Sequence, residues 1–166
     1  MQPKHLILCV DDEREILDSV SQDLECFEPY FYLESAQSVD EAQDVIDDYQ
    51  QRGIPLALIL CDHIMPQKNG IQFLIELSTN PAHHASRKVL LTGQAGLEDT
   101  VDAINHAHLD FYISKPWDGD NLREIVTQQL TDYVINNESD LMQWMPALDK
   151  GALLNAMSEK RTSFGE

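Results

Sequence analysis

PLALILCDHIMPQKNG, residues Pro55–Gly70, decides the fold. Leu56 to Cys61 form an unbroken apolar run, Asp62 follows at once, and Pro66 and Asn69-Gly70 close the stretch. A short apolar run bounded by turn residues reads as a strand buried on both faces, the kind found in parallel sheets covered by helices. In open sheets of that type, ligand chemistry gathers beyond the carboxyl ends of the strands. Asp62 therefore stands at the functional edge of a central strand.

Working outward, the same grammar repeats. His5–Val10 is a first buried strand ending in Asp11, Asp12 and Glu13. From Glu13 the apolar residues Ile16, Leu17, Val20, Leu24 and Phe27 recur at helical spacing. Tyr30–Leu33 reads as a second strand, aromatic and β-prone. Ser38, with Glu41 behind it, forms a capping box that opens a helix over Val39–Gln51, which Gly53 ends. After Asn69-Gly70 a helix presents Ile71, Phe73, Leu74 and Leu77, and Ala82–Ser86 is a polar loop. Val89–Leu91 is a fourth strand ending at Thr92-Gly93, and Leu97–His106 is a weaker helix. Phe111–Ile113 is a fifth strand ending at Ser114-Lys115-Pro116, and Asp118–Val134 is the last strong helix. Five alternations of strand and helix predict an α/β fold with a doubly wound five-stranded parallel sheet, flavodoxin-like, in the order 2-1-3-4-5. Strands one and three are neighbours in that order, so Asp11, Asp12 and Asp62 converge.

The domain is expected over residues 1–135, with residues 136–166 as a C-terminal helical tail that packs on the domain or serves partner binding or dimerisation. Pro146 and Gly151 interrupt any long helix there. The net charge of −18 argues against nucleic acid or an anionic membrane as a partner and favours divalent cations or a basic protein surface. Most of these acids read as an ordinary solvated surface. Cys9, Cys26 and Cys61 lack metal-ligand spacing, and a sparse, odd set suits a reducing compartment. The N-terminal apolar run is too short for a signal peptide and no run approaches membrane-spanning length, so a cytoplasmic protein is expected.

Strand ends thus contribute Asp11, Asp12, Asp62, Thr92 and Lys115. Carboxylates crowded in one crevice repel unless a cation lies between them. A hard divalent ion with oxygen ligands fits, and Mg²⁺ needs few protein ligands. With Lys115 as a second positive charge and Thr92 as a hydroxyl donor, the crevice suits a phosphoryl group, with Asp62 as nucleophile. Each feature alone is ordinary; their joint placement at the ends of different strands is not.

Here the sequence resembles the receiver domains of two-component response regulators, over roughly residues 4–135. VDDE (Val10–Glu13) is similar to the family's acidic pair, and CDHIMPQKNG (Cys61–Gly70) to its phosphoacceptor motif. LLTGQA (Leu90–Ala95) and YISKPW (Tyr112–Trp117) are similar to its switch threonine and its lysine-proline pair. The resemblance implies that Asp62 is phosphorylated, that Asp12 binds Mg²⁺ directly with Asp11 assisting through water, and that the Ile64 carbonyl completes the protein ligands. It implies that Thr92 and Lys115 hold the phosphoryl oxygens. It also implies that Tyr112 moves inward as Thr92 swings, remodelling the face of the fourth helix, fifth strand and fifth helix. A histidine kinase or histidine phosphotransfer protein is the implied donor. The downstream effector is left open, with a homodimer through the output face or the tail as one partner. His106, His108 and Gln94-Ala95-Gly96 depart from the family's usual pattern near that face.

Two other functions use similar ingredients. A haloacid-dehalogenase-like Mg²⁺-dependent phosphatase needs a second acid two residues after the nucleophile, where this chain has Ile64. A flavin or nucleotide binder needs a phosphate loop after the first strand, where this chain has DDERE. The expectation is therefore a phosphoacceptor signalling domain rather than an enzyme, limited to self-catalysed phosphotransfer and slow autodephosphorylation. His63 is expected to point away from the site, His83 and His84 to be solvated, and Trp117 to pack on the last helix. No output domain follows in this sequence, so the domain acts alone through protein contacts or is the front of a longer chain.

Overall fold

The computed structural model describes residues 2–93 and 97–163. Its sheet runs β2-β1-β3-β4-β5, every pairing parallel. The strands are β1 (Leu6–Val10), β2 (Tyr32–Ala36), β3 (Leu56–Cys61), β4 (Arg87–Thr92) and β5 (Phe111–Ser114). The helices are α1 (Arg14–Leu24), α2 (Val39–Gln51), α3 (Gly70–Thr79), α4 (Leu97–His106), α5 (Gly119–Asn137) and α6 (Lys150–Ser163). Fold class and strand order are those expected from the alternation.

Two apolar layers flank the sheet. Ile7, Cys9, Leu58, Leu60, Val89 and Leu91 face α1 and α5. Leu6, Leu8, Val10, Ile59, Cys61 and Leu90 face α2 and α3. β1 alternates strictly between the layers, as a strand must. β3 does not: Ala57 and Leu58 join the same layer. The register shifts there, with Leu6 paired to Leu56 and Ile7 to Leu58, so Ala57 is the extra residue of a bulge. The shift leaves Cys61 opposite Val10, which sets Asp62 level with Asp11 at the sheet edge.

The local signals are realised in detail. Ser38 Oγ accepts from the Glu41 amide at 3.1 Å, and the Glu41 carboxylate returns to the Gln37 amide at 3.0 Å rather than to that of Ser38. Gly53 takes φ +78° at the end of α2, a conformation without steric cost for glycine.

The second strand begins later than Tyr30. The amides of Tyr30 and Phe31 both bond to the Phe27 carbonyl, so the chain is still turning, and pairing starts where the Tyr32 amide meets the His5 carbonyl. Phe31 is buried by packing and not by the sheet. The tail beyond α5 joins the first layer: Leu141, Trp144, Leu148, Leu153 and Ala156 are buried with Phe27, Phe31 and Tyr133. Trp144 lies against Phe31 and His5, and His5 bonds to Glu138 at 2.5 Å. Among the described residues, no helix is long and apolar enough to cross a membrane.

Candidate functional site

The carboxyl ends of β1, β3, β4 and β5 open into one cleft of about 950 Å³. Asp12, Asp62, Ile64, Thr92 and Lys115 line it, and it extends along α1 past Ile16, Ser19 and Gln22 to Asp23 and Trp117. Asp11 is buried beneath it. Six of the expected site residues therefore meet at one place.

Each is fixed by its backbone. The Asp62 amide bonds to the Val10 carbonyl at 2.9 Å, extending the β1–β3 ladder by one residue. Its Oδ1 accepts from the His63 amide at 2.8 Å, which leaves Oδ2 toward the cleft. Asp11 Oδ1 accepts from the Glu13 amide at 2.9 Å, so this aspartate is held by the turn that leads into α1. Thr92 is fully buried at the last position of β4. Lys115 Nζ reaches Asp11 Oδ2 at 2.5 Å and Asp62 Oδ2 at 3.4 Å. The Lys115–Pro116 bond is cis.

The loop from Asp62 to α3 is drawn tight. The Gly70 amide bonds to the His63 carbonyl at 2.8 Å, and Asn69 caps α3 by accepting from the Gln72 amide at 2.8 Å. A Cβ on Gly70 would stand 1.8 Å from the Asp62 carbonyl oxygen, so only glycine fits. Met65 is buried in the second layer while Ile64 is 53% exposed, which leaves Ile64 at the rim.

The electrostatics are those of crowded charge. Burial raises Asp11 above the ordinary carboxylate value, and its bond to Lys115 offsets only part of that. Burial disfavours the Lys115 ammonium, but the bond to Asp11 and the charge of both aspartates outweigh it and hold the lysine above its usual value. Carboxylate oxygens of Asp11, Asp12 and Asp62 lie within 4.8 Å of one another. Such a set suits one hard divalent cation, since oxygen donors around a small shared volume are what Mg²⁺ or Ca²⁺ require.

Tyr112 lies outside this cleft and lines a neighbouring one of about 460 Å³ between β5 and α5. Its hydroxyl donates to the Thr92 carbonyl at 3.3 Å, so it touches the backbone of the residue it was expected to follow. Gln94, Ala95 and Gly96 lie outside the described residues.

One expectation here needs correction. His83 is 3% exposed rather than solvated, because the turn from Asn80 to Ser86 folds it inward, and burial lowers its pKa. Trp117 packs against the layer containing α5, and its indole N–H also donates to Asp23 Oδ2 of α1 at 2.8 Å. His84 is exposed and His63 is buried. Sequence patterns missed Asp23, since an acid late in an amphipathic helix looks like any solvated one. They also missed the role of Gly70 as a backstop, although its place in the motif was a signal.

The match to known proteins is direct. Residues 7–127 fit the family model described as the response regulator receiver domain. The chain is 34% identical over 124 residues to response regulator Rre1 of Synechocystis, covering 75% of this chain and 51% of that protein. It is 31% identical over 122 residues to the hydrogenase transcriptional regulatory protein HoxA of Cupriavidus necator, covering 74% of this chain and 23% of that one. It therefore spans 23% of one of these curated relatives and 51% of the other. A solved receiver domain protein (CheY-like) from Methanospirillum hungatei superposes with a TM-score of 0.67 at 32% identity, covering 80% of this chain and 98% of the other. These matches leave the phosphatase alternative without support.

Proposed function

The chain belongs to the response regulator receiver domain family, and from that premise we propose that it is a phosphorylation-driven switch whose acceptor is Asp62. The donor is the phosphohistidine of a histidine kinase or of a histidine phosphotransfer protein. One observation carries this reading: Lys115 Nζ lies within 3.4 Å of Asp62 Oδ2 while the oxygens of Asp11, Asp12 and Asp62 share a space fit for one cation.

In the transfer, a carboxylate oxygen of Asp62 attacks phosphorus as the donor's P–N bond breaks. The bonding pair returns to the imidazole nitrogen, and an acyl phosphate forms on Asp62. Asp11, Asp12, Asp62 and the Ile64 carbonyl would hold Mg²⁺, which supplies positive charge against that developing on the phosphoryl oxygens. Lys115 donates to one of those oxygens and the Thr92 hydroxyl to another. The preformed Lys115 contacts mean that little reorganisation accompanies the step.

The message leaves by way of Thr92. A hydroxyl drawn toward the phosphoryl group moves the backbone to which Tyr112 is bonded. Val101, Ile104 and Phe111 stand exposed on α4 and β5 nearby, a face fit for an effector protein or a second copy of the chain. The domain works in the cytoplasm through protein contacts, without touching nucleic acid or membrane. Its chemistry is limited to self-catalysed phosphotransfer and slow autodephosphorylation, since Ile64 cannot act as the acid or base that would speed turnover.

Acetyl phosphate with Mg²⁺ should add a phosphoryl mass to the chain, and Asp62→Asn should abolish it. Labelling that survives the substitution overturns the assignment.

A further inference from the structure

The segment joining β5 to α5 is held at both ends. At one end Lys115 reaches Asp11 and Asp62. Two residues on, the Trp117 indole N–H donates to Asp23 Oδ2 at 2.8 Å, in the last turn of α1. Arg123 of α5 donates to the Asp23 carbonyl at 3.3 Å, and its guanidinium lies 3.8 Å from Asp23 Oδ1. Gly119, the first residue of α5, sits so close that a Cβ there would stand 2.9 Å from Asp23 Oδ1. Asp23 is thus held by Trp117 and Arg123, with Gly119 close beside it. It forms the far wall of the cleft that Asp62 and Lys115 line, yet it touches none of the groups proposed to react.

A lysine ammonium rides on a flexible four-carbon stem, so its useful position depends on the backbone that carries it. The Lys115 backbone is weakly tied to the sheet: its amide meets the Thr92 carbonyl at 3.4 Å, near the limit of a hydrogen bond. The anchor two residues on is shorter and is made to a rigid helix.

We propose that Asp23 is a positioning residue for phosphoryl transfer: by clasping Trp117 it fixes the segment from which Lys115 reaches the carboxylates. The proposal rests on Asp62 being the phosphoacceptor.

The test follows the initial rate of labelling of the full chain by acetyl phosphate in Mg²⁺. Asp23→Ala removes the clasp, and Trp117→Phe keeps the ring but deletes its N–H. Each should slow labelling by about tenfold, the scale expected when a group is displaced by a fraction of an ångström. Asp23→Asn removes the charge but keeps an oxygen for the indole, and should stay close to wild type, since the clasp and the segment that carries Lys115 keep their place. Mg²⁺ should still bind in all of them, which a general loss of structure would not allow. In a Lys115→Ala background, Asp23→Ala should slow the residual labelling no further.

Wild-type rates in Asp23→Ala and Trp117→Phe would overturn the clasp, as would an Asp23→Ala effect that persists without Lys115. If Asp23→Ala does not fold, Trp117→Phe alone and in the Lys115→Ala background decides on the same terms. An unlabelled wild-type chain would instead overturn the phosphoacceptor assignment, and the clasp with it.

Discussion

Lys115 Nζ stands 2.5 Å from Asp11 Oδ2 and 3.4 Å from Asp62 Oδ2, so the ammonium occupies the charge-neutralising position between two buried acids. A divalent cation at the acidic cluster would compete with it for Asp11. Lys115→Met should therefore lower metal-free stability by about 2 kcal/mol, less than a fully buried pair would cost because the side chain keeps 16% exposure. It should also enlarge the rise in melting temperature on adding Mg²⁺. Thermal melts of both proteins across a Mg²⁺ titration check this, and equal Mg²⁺ shifts would refute the competition.

Gly70 offers a test in which the sign is informative. At an ordinary helix start, Gly→Ala stabilises by up to about 1 kcal/mol, because it restricts the unfolded chain. Here the added carbon would fall 1.8 Å from the Asp62 carbonyl oxygen and 2.9 Å from Cys61 Sγ. The backbone carrying Asp62 has to move, so Gly70→Ala should cost about 2–3 kcal/mol, the range of overpacking in a dense site. It should also slow acetyl phosphate labelling of the protein that remains folded. Urea denaturation and labelling measured together decide it, and a stabilised, fully labelled variant would contradict the packing.

How much of this was legible follows from what kind of signal each part leaves. β1 and β3 are unbroken apolar runs ending in acids, so the fold, the strand order and the meeting of Asp11, Asp12 and Asp62 could be read from periodicity and connection rules. β2 was misplaced because Tyr30 and Phe31 are as β-prone as Tyr32, and the turn that holds them is made by backbone bonds to Phe27 that no side chain announces. His83 was misread because a histidine after a proline looks solvated until the turn folds it inward. Asp23 and Trp117 lie 94 residues apart and obey no spacing rule, so only the folded chain shows that they touch.

The tail is part of the core. Trp144 is fully buried against Phe31 and His5, at the end of the sheet opposite the acidic cleft. Trp144→Ala should cost about 3–5 kcal/mol, as for any large buried aromatic. A chain ending at Asn137 should lose more, since Leu141, Leu148 and Leu153 go with it. Labelling of whatever remains folded should persist, because the tail does not reach the cleft. Urea midpoints of the intact and shortened chains are the measurement, and an unchanged midpoint would show the tail to be a loose appendage.

Lys88 gives the pH-dependent test. Its side chain is 1% exposed on β4, and its ammonium donates to the Ser86 carbonyl at 2.8 Å. Burial lowers its pKa, with Asp110 opposing and Arg87 reinforcing the shift. A lysine whose pKa is lower folded than unfolded burdens the native state while it is charged. The burden is relieved as pH rises through the folded pKa toward the unfolded value of about 10.4. Lys88→Met, of similar length and without charge, should therefore stabilise the protein at neutral pH by roughly 1–2 kcal/mol, as replacement of buried ions by apolar groups does elsewhere. The advantage should shrink steadily as pH climbs into that alkaline window. Urea midpoints of both proteins from pH 7 upward would settle it, and a difference that stays flat or grows with pH would mean that the Lys88 charge is not what strains this strand.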